Sequence, residues 1–234
     1  MNLQNARILV TGGSSGIGKA TAQLLAAHGA KVVITGRNID KLNAVAKEIN
    51  CIPVALDMTD YDSFESQTKE IVKLLGGGID VLINNAGIGE FATLETLTIQ
   101  QFEQVYSTNV FGLAMLTQQV VKYFIAQNKG NIINIASTAG KKGFAHGTVY
   151  ASSKFALRGM TECWQAELRK NNVRVMLINP SEVTTAFNQA DRAEREEVAN
   201  KLRSEEIAHS IKAVLEMDDR GFIPELTVWA TNPY

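Results

Sequence analysis

Tyr150 and Lys154 stand four residues apart in the run Tyr150-Ala151-Ser152-Ser153-Lys154. On a helix that spacing puts both side chains on one face. A phenol with a reference pKa of about 10 is a poor base near neutral pH unless a neighbouring cation stabilises the phenolate, and Lys154 is such a cation. Each unit of lowering corresponds to about 1.4 kcal/mol. Ser137, expected at the carboxyl end of a strand, can donate a hydrogen bond to a substrate oxygen and stabilise developing alkoxide charge. Alone, a Tyr/Lys pair of this spacing is a common feature of helix surfaces, so its meaning depends on what the rest of the chain assembles around it.

Those side chains need elements to hold them. Short apolar, β-branched runs recur at residues 7–11, 31–35, 52–56, 80–83, 130–136, 173–178 and 226–229, as expected of strands buried on both faces. Segments with helical spacing lie between them, at 18–28, 40–49, 61–75, 99–127, 149–170 and 205–217. Strands alternating with helices of this length imply right-handed crossovers on a parallel sheet. The expected fold is α/β and doubly wound: a mostly parallel, seven-stranded, Rossmann-type sheet with helices on both faces. With 234 residues and no repeat or linker, residues 1–234 are expected to form one domain. The glycine run at 76–78 and the charged stretch 191–206 read as loop or helix-edge features.

Directly after the first strand comes Thr11-Gly12-Gly13-Ser14-Ser15-Gly16-Ile17-Gly18, opening a helix. A pyrophosphate needs that arrangement, because glycines permit close backbone approach and a helix N-terminus presents free N–H groups and a positive dipole end. A glycine-rich turn has bland explanations too; its place after strand one favours the nucleotide. After the second strand the chain reads Thr35-Gly36-Arg37-Asn38, where a binder of NAD usually places an acid for the ribose hydroxyls. Gly36 carries no charge to repel a 2′-phosphate, and Arg37 has the planar, permanently charged fork that suits one. NADP(H) is therefore expected over NAD(H), against the plain alternative that Arg37 is a solvated loop cation.

Taken in order, these motifs closely resemble the single-domain short-chain dehydrogenases/reductases, over nearly the whole chain and especially members of the 3-oxoacyl-acyl-carrier-protein reductase type. Thr11-Gly12-x-x-x-Gly16-x-Gly18 resembles the family's phosphate loop, with Ser14, Ser15 and Ile17 inside it. Asp57, followed by Met58, is similar to its adenine contact, Asn84-Asn85-Ala86-Gly87 to its fourth-strand motif, and Asn109 to its helix-kinking, water-holding asparagine. Ser137, Tyr150 and Lys154 fall at its catalytic spacing. The resemblance implies that Tyr150 transfers the proton and that Lys154 binds the nicotinamide ribose and lowers the Tyr150 pKa. It also implies that Ser137 orients the carbonyl and that Asn109 supports a proton relay through water. Pro180, Val183 and Thr185 match the stretch that holds the carboxamide, although Ser181 stands where the family usually has Gly and Glu182 can face solvent or pocket.

By the same resemblance Gly87, Ile88, Phe91, Phe144, Ala145, His146 and Phe187 line the substrate pocket, and the segment 184–202 acts as its lid. The lining is mostly apolar, so a small or medium hydrophobic carbonyl compound is the expected substrate, with His146 as a rim residue. Lys129, Arg169 and Lys170 can dock an acidic carrier protein, but the last two are equally explained by a helix C-terminus, and no carrier is assigned. A non-catalytic NADP(H) sensor or scaffold is the competing class; such proteins usually lose the Tyr or the Lys, and both are present here. A sugar-nucleotide epimerase would need a larger C-terminal part than follows Tyr150.

Composition restricts partners further. A net charge of −1 and 20% charged residues give no general attraction to nucleic acid or anionic membrane. Cys51 and Cys163, with His28, His146 and His209, show no metal-ligand spacing, so reduced thiols and no metal are expected. Residues 1–8 lack the apolar core of a signal peptide, so the cytoplasm is the expected location. Apolar residues on more than one face of the 99–127 and 149–170 helices, including Val110, Leu113, Leu116, Phe155, Leu157, Met160 and Trp164, suggest a helix-paired homodimer or a homotetramer.

Overall fold

Because a strand's side chains alternate between faces, an all-apolar run must be covered on both sides. The computed structural model, which describes residues 1–185, 187, 196 and 198–232, has that arrangement. Strands β1 (Arg7–Thr11), β2 (Lys31–Gly36), β3 (Ile52–Ala55), β4 (Val81–Asn84), β5 (Gly130–Ile135), β6 (Val173–Pro180) and β7 (Glu225–Val228) form one sheet. Its order is β3-β2-β1-β4-β5-β6-β7 and every pair is parallel. Around it pack α1 (Gly16–Ala27), α2 (Ile39–Glu48), α3 (Phe64–Leu75), α4 (Ile99–Tyr106), α5 (Leu113–Ala126), α6 (Thr148–Leu168) and α7 (Ser204–Glu216).

Alternation sorts the strands' side chains into two cores. Ile8, Val10, Val32, Ile34, Ile83, Ile133 and Met176 meet Leu25 of α1, Leu42 of α2 and Ile207 and Ile211 of α7. Leu9, Val33, Leu82, Ile132, Val175 and Leu177 meet Ile71 of α3, Leu116, Val120 and Phe124 of α5, and Leu157 of α6. Full burial of side chains of this size contributes about 1.5–3 kcal/mol each, so both helix layers are held firmly. At the end of the sheet remote from the strands' carboxyl termini, Arg7 pairs with Asp80 through Nε to Oδ2 at 2.9 Å and Nη2 to Oδ1 at 2.7 Å. The pair holds the Asp80 carboxyl below its ordinary pKa against the opposing effect of burial.

The sequence pattern at 99–127 predicts one helix, and the structure breaks it. Residues Ser107–Gly112 form a π turn between α4 and α5. The carbonyl of Met58 presses against Gly112 so closely that no Cβ fits there. π turns of this kind concentrate at functional sites, and this one swings Asn109 towards the loop after β4.

A second device fixes α5 and α6 over the sheet. Asn84 and Asn134 sit two residues beyond Leu82 and Ile132, hence on the same face. Asn84 Nδ2 donates to Thr117 Oγ1 of α5 and to Asn134 Oδ1, each at 2.9 Å, and Asn134 Nδ2 donates to Thr161 Oγ1 of α6 at 2.8 Å. All four residues are buried, and although Asn84 Oδ1 has no hydrogen-bond partner, the three donated bonds tie α5 and α6 to the sheet in one arrangement.

Candidate active site

The strand order reverses between β1 and β4, and open α/β sheets bind ligands in the crevice this creates at the strands' carboxyl ends. A crevice of about 1440 Å³ runs across that edge. It exceeds the roughly 300–1,000 Å³ of a single small-molecule pocket, leaving room for a dinucleotide and a substrate together.

The glycine loop forms one end. Gly12 and Gly16 have φ of 67° and 52°, values that suit glycine. A Cβ on Gly12 would come within 2.9 Å of Ala86 Cα. Gly12, Ser14, Ser15, Gly16 and Ile17 all face the crevice at the start of α1. Gly18 does not; the carbonyl of Gly12 packs where its Cβ would be, so Gly18 acts by letting α1 approach the loop. The loop is tied to β4 by Thr11 and Asn85: Thr11 Oγ1 accepts from the N–H groups of Asn85 and Ala86 at 3.0 Å, and Asn85 Nδ2 donates to the carbonyls of Thr11 and Gly12 at 3.0 and 3.1 Å. These N–H-rich, Cβ-free surfaces fit a pyrophosphate.

The Asn84 expectation needs correction. Asn84 is 1% exposed and spends its amide on Thr117 and Asn134, whereas Asn85 reaches the crevice wall. Strand alternation from the buried Leu82 carries the signal that separates the two neighbours.

Arg37, Asn38 and Lys41 line the crevice beyond β2, beside Ser14, and Asn38 Oδ1 caps α2 by accepting from the Lys41 N–H at 2.9 Å. A Cβ on Gly36 would make ordinary contact with Ser14 Oγ at 3.5 Å, and Gly36 itself brings no carboxylate to this corner. Asp57 and Met58 face the same space, with Asp57 Oδ1 accepting from Thr59 N–H and Oγ1 at 2.9 and 2.8 Å.

Ser137, Tyr150 and Lys154 converge at the carboxyl end of β5 and line the crevice together. Ser137 caps a 3-10 turn, its Oγ accepting from Ala139 N–H at 3.1 Å. Tyr150 and Lys154 lie in α6, with Lys154 Nζ 5.7 Å from the Tyr150 ring centroid. Lys154 Nζ also donates to the Ile135 carbonyl at 2.9 Å. Burial pushes the Tyr150 phenol up to about 12, while its hydrogen bond with Ser137 pulls the other way. Burial alone lowers the Lys154 ammonium to about 8.

Asn109 is buried and lies behind the wall instead of on it. Its Oδ1 accepts from Ile88 N–H at 2.9 Å, and its Nδ2 donates to Ile88 O at 2.9 Å and Ser153 Oγ at 3.1 Å. The side chain thus clamps the loop after β4 onto α6.

Pro180, Ser181, Glu182, Val183 and Thr185 all line the crevice, and Glu182 is at the same time exposed, with its Oε1 2.6 Å from Lys201 Nζ. Of the residues expected in the pocket, Gly87, Ile88, Phe91, Phe144 and Phe187 line the crevice. Ala145 and His146 do not; His146 takes a left-handed φ of 67° and its carbonyl accepts from Ala92 N–H at 3.0 Å. Rings of Phe91 and Phe187 stand 5.6 and 5.4 Å from that of Tyr150. Much of the expected lid at 184–202 lies outside the described residues. Trp229, Thr227, Lys141 and Lys142 are among further lining residues that were not anticipated from the sequence.

The family model described as short chain dehydrogenase matches residues 6–196. A 3-oxoacyl-acyl-carrier-protein reductase of Thermotoga maritima is 36% identical over 194 residues, covering 81% of this chain and 78% of that one. An uncharacterized oxidoreductase of Staphylococcus aureus strain USA300 is 32% identical, covering 94% and 95%. Among solved structures, an alcohol dehydrogenase of the archaeon Thermococcus sibiricus complexed with 5-hydroxy-NADP superposes with a TM-score of 0.88 at 25% identity, covering 96% of each chain. A metagenomic short-chain oxidoreductase in complex with NADP gives 0.84 at 32% identity, over 97% and 98%. With its family model matched over most of its length and relatives of this kind along nearly all of it, the chain belongs to the short-chain dehydrogenase family of oxidoreductases.

Proposed function

We propose that this protein is an NADP(H)-dependent oxidoreductase that interconverts a carbonyl and a secondary alcohol on a small or medium, mainly apolar substrate. The observation that carries this reading is the meeting of Ser137, Tyr150 and Lys154 in the same crevice as the glycine loop and Arg37. When bound, the nicotinamide nucleotide supplies or accepts the hydride. Gly12, Ser14, Ser15, Gly16 and Ile17 would hold its pyrophosphate, Arg37 its 2′-phosphate, Asp57 and Met58 its adenine. Ala86, Gly87, Pro180, Val183 and Thr185 would hold the nicotinamide half.

In reduction, Tyr150 passes its phenolic proton to the substrate oxygen as that oxygen gains negative charge. Ser137 Oγ donates a hydrogen bond to the same oxygen. Lys154 stabilises the phenolate left behind and contacts the ribose. Asn109 enters as a positioning residue that fixes Ile88 against α6. The apolar rings of Phe91, Phe144 and Phe187 favour a hydrophobic substrate over a sugar or polyanion.

A cytoplasmic homodimer or homotetramer without nucleic-acid or membrane partners completes the proposal. No helix among the described residues is long and apolar enough to cross a membrane. The test is a panel of ketones, aldehydes and diketones scored by loss of NADPH absorbance. Turnover of one or more panel members is expected; NADPH binding with no turnover across the panel would favour a non-catalytic sensor.

A further inference from the structure

Glu225, the first residue of β7, meets three other segments through one carboxylate. Its Oε1 accepts from Asn179 Nδ2 at 2.9 Å and lies 3.2 Å from Lys141 Nζ, and its Oε2 lies 3.2 Å from Arg158 Nη2. Each partner neighbours a part of the site. Lys141 ends the 3-10 turn that Ser137 caps and itself lines the crevice. Arg158 stands one helical turn beyond Lys154, so Tyr150, Lys154 and Arg158 share one stripe of α6. Asn179 immediately precedes Pro180 at the end of β6.

We propose that Glu225 is a positioning residue for the reaction assigned above, joining the segments that carry Ser137, the Tyr150–Lys154 pair and Pro180. The proposal rests on that functional reading. Stability alone is a poor reason for this network. The side chains of Lys141, Arg158 and Glu225 are 42%, 34% and 26% exposed, and ion pairs that reach solvent stabilise a fold only slightly. Geometry is a better one, because Asn179 is fully buried, its Oδ1 has no hydrogen-bond partner and Glu225 is the acceptor for its Nδ2. The other groups facing these charges are Glu162, 3.3 Å from Arg158 Nε, and Thr227 Oγ1, 3.4 Å from Lys141 Nζ. Glu225 is therefore the carboxylate shared by the turn and the helix. Without its charge, Lys141 and Arg158 lose the anchor they share.

Glu225→Gln keeps an amide oxygen for Asn179 and deletes both ion pairs, while Glu225→Asp keeps the charge on a shorter arm. On the ketone that the parent reduces best, kcat of Glu225→Gln should fall about 10-fold, in line with the sensitivity of chemistry to small misplacements. NADPH affinity should fall less than kcat, since Arg37 and the glycine loop lie at the other end of the crevice, and Glu225→Asp should recover part of the loss. Amide hydrogen exchange should quicken at residues 138–142 and 181–185 in Glu225→Gln. A parental kcat overturns the proposal, as does a fall in kcat matched by equal loss of NADPH affinity and of thermal stability, which is general destabilisation. If the parent reduces no member of the panel, the functional reading fails by itself. Exchange then decides the positioning claim, with parental rates at both segments overturning it.

Discussion

Tyr150 and Lys154 are each held away from their ordinary titration, and burial drives both towards neutrality. Lys154 has a folded pKa of about 8 against 10.5, so between those values the unfolded chain binds the proton more readily. Stability must then rise with pH through that window, with the cost of the buried charge fully felt below about 8. Tyr150, raised from 10.0 to about 12, acts oppositely and removes stability as pH climbs between those values. Lys154→Met should make the protein without nucleotide more stable at pH 7 by up to about 3 kcal/mol and flatten the rise between pH 8 and 10. Urea unfolding across that range checks it, and an unchanged pH slope would count against the buried ammonium. Arg37 is tested separately. Charge-assisted bonds contribute roughly 1.5–3 kcal/mol, so Arg37→Ala should weaken NADPH binding about 10- to 150-fold while barely altering NADH binding. Titrations of both cofactors decide it, and equal affinities in the parent would remove the assigned role.

The elements differ in how openly the sequence declares them. Strands β4, β5 and β6 are buried along their whole length and mostly apolar, interrupted only by Asn84, Asn131, Asn134, Arg174 and Asn179, so they could be read directly, and so could the helices that alternate with them. The π turn could not be read from periodicity, which runs on through 99–127; only the resemblance of Asn109 to a helix-kinking asparagine hinted at a break, and the close approach of the Met58 carbonyl to Gly112 leaves no trace in the pattern. Asn84 was misplaced for a related reason: a motif names neighbours without saying which face each occupies. Its structural role predicts a specific outcome. Asn84→Ala should cost about 1–3 kcal/mol by stranding buried partners in Thr117 and Asn134, with NADPH affinity unchanged. Urea unfolding and cofactor titration check both halves; a stable variant that binds NADPH poorly would return Asn84 to the cofactor site. Glu225 was equally illegible, since its partners at 141, 158 and 179 meet only once β5, β6, β7 and α6 are assembled.

At the scale of the whole molecule, the helix faces need a smaller partner surface than the sequence suggested. Val110, Leu113, Leu116 and Leu157 are consumed by the core, leaving Phe111, Met115 and Phe155 exposed on the π turn, α5 and α6. These are the side chains that the proposed homo-oligomer would cover. Light scattering at micromolar concentration should give a dimer or tetramer, and Phe155→Glu should shift it towards monomer; a monomeric parent would contradict the assembly. The same fold places the glycine loop and Tyr150 on one crevice, and the central claim is that Tyr150 makes this crevice catalytic. Tyr150→Phe keeps the ring and its packing between Phe91 and Phe187 while deleting the acid. The direct measurement is NADPH consumption by parent and Tyr150→Phe on the best ketone of the panel, with NADPH binding measured alongside. Turnover should drop by about 10²- to 10⁴-fold with NADPH still bound, whereas near-parental turnover by Tyr150→Phe would contradict the assigned chemistry.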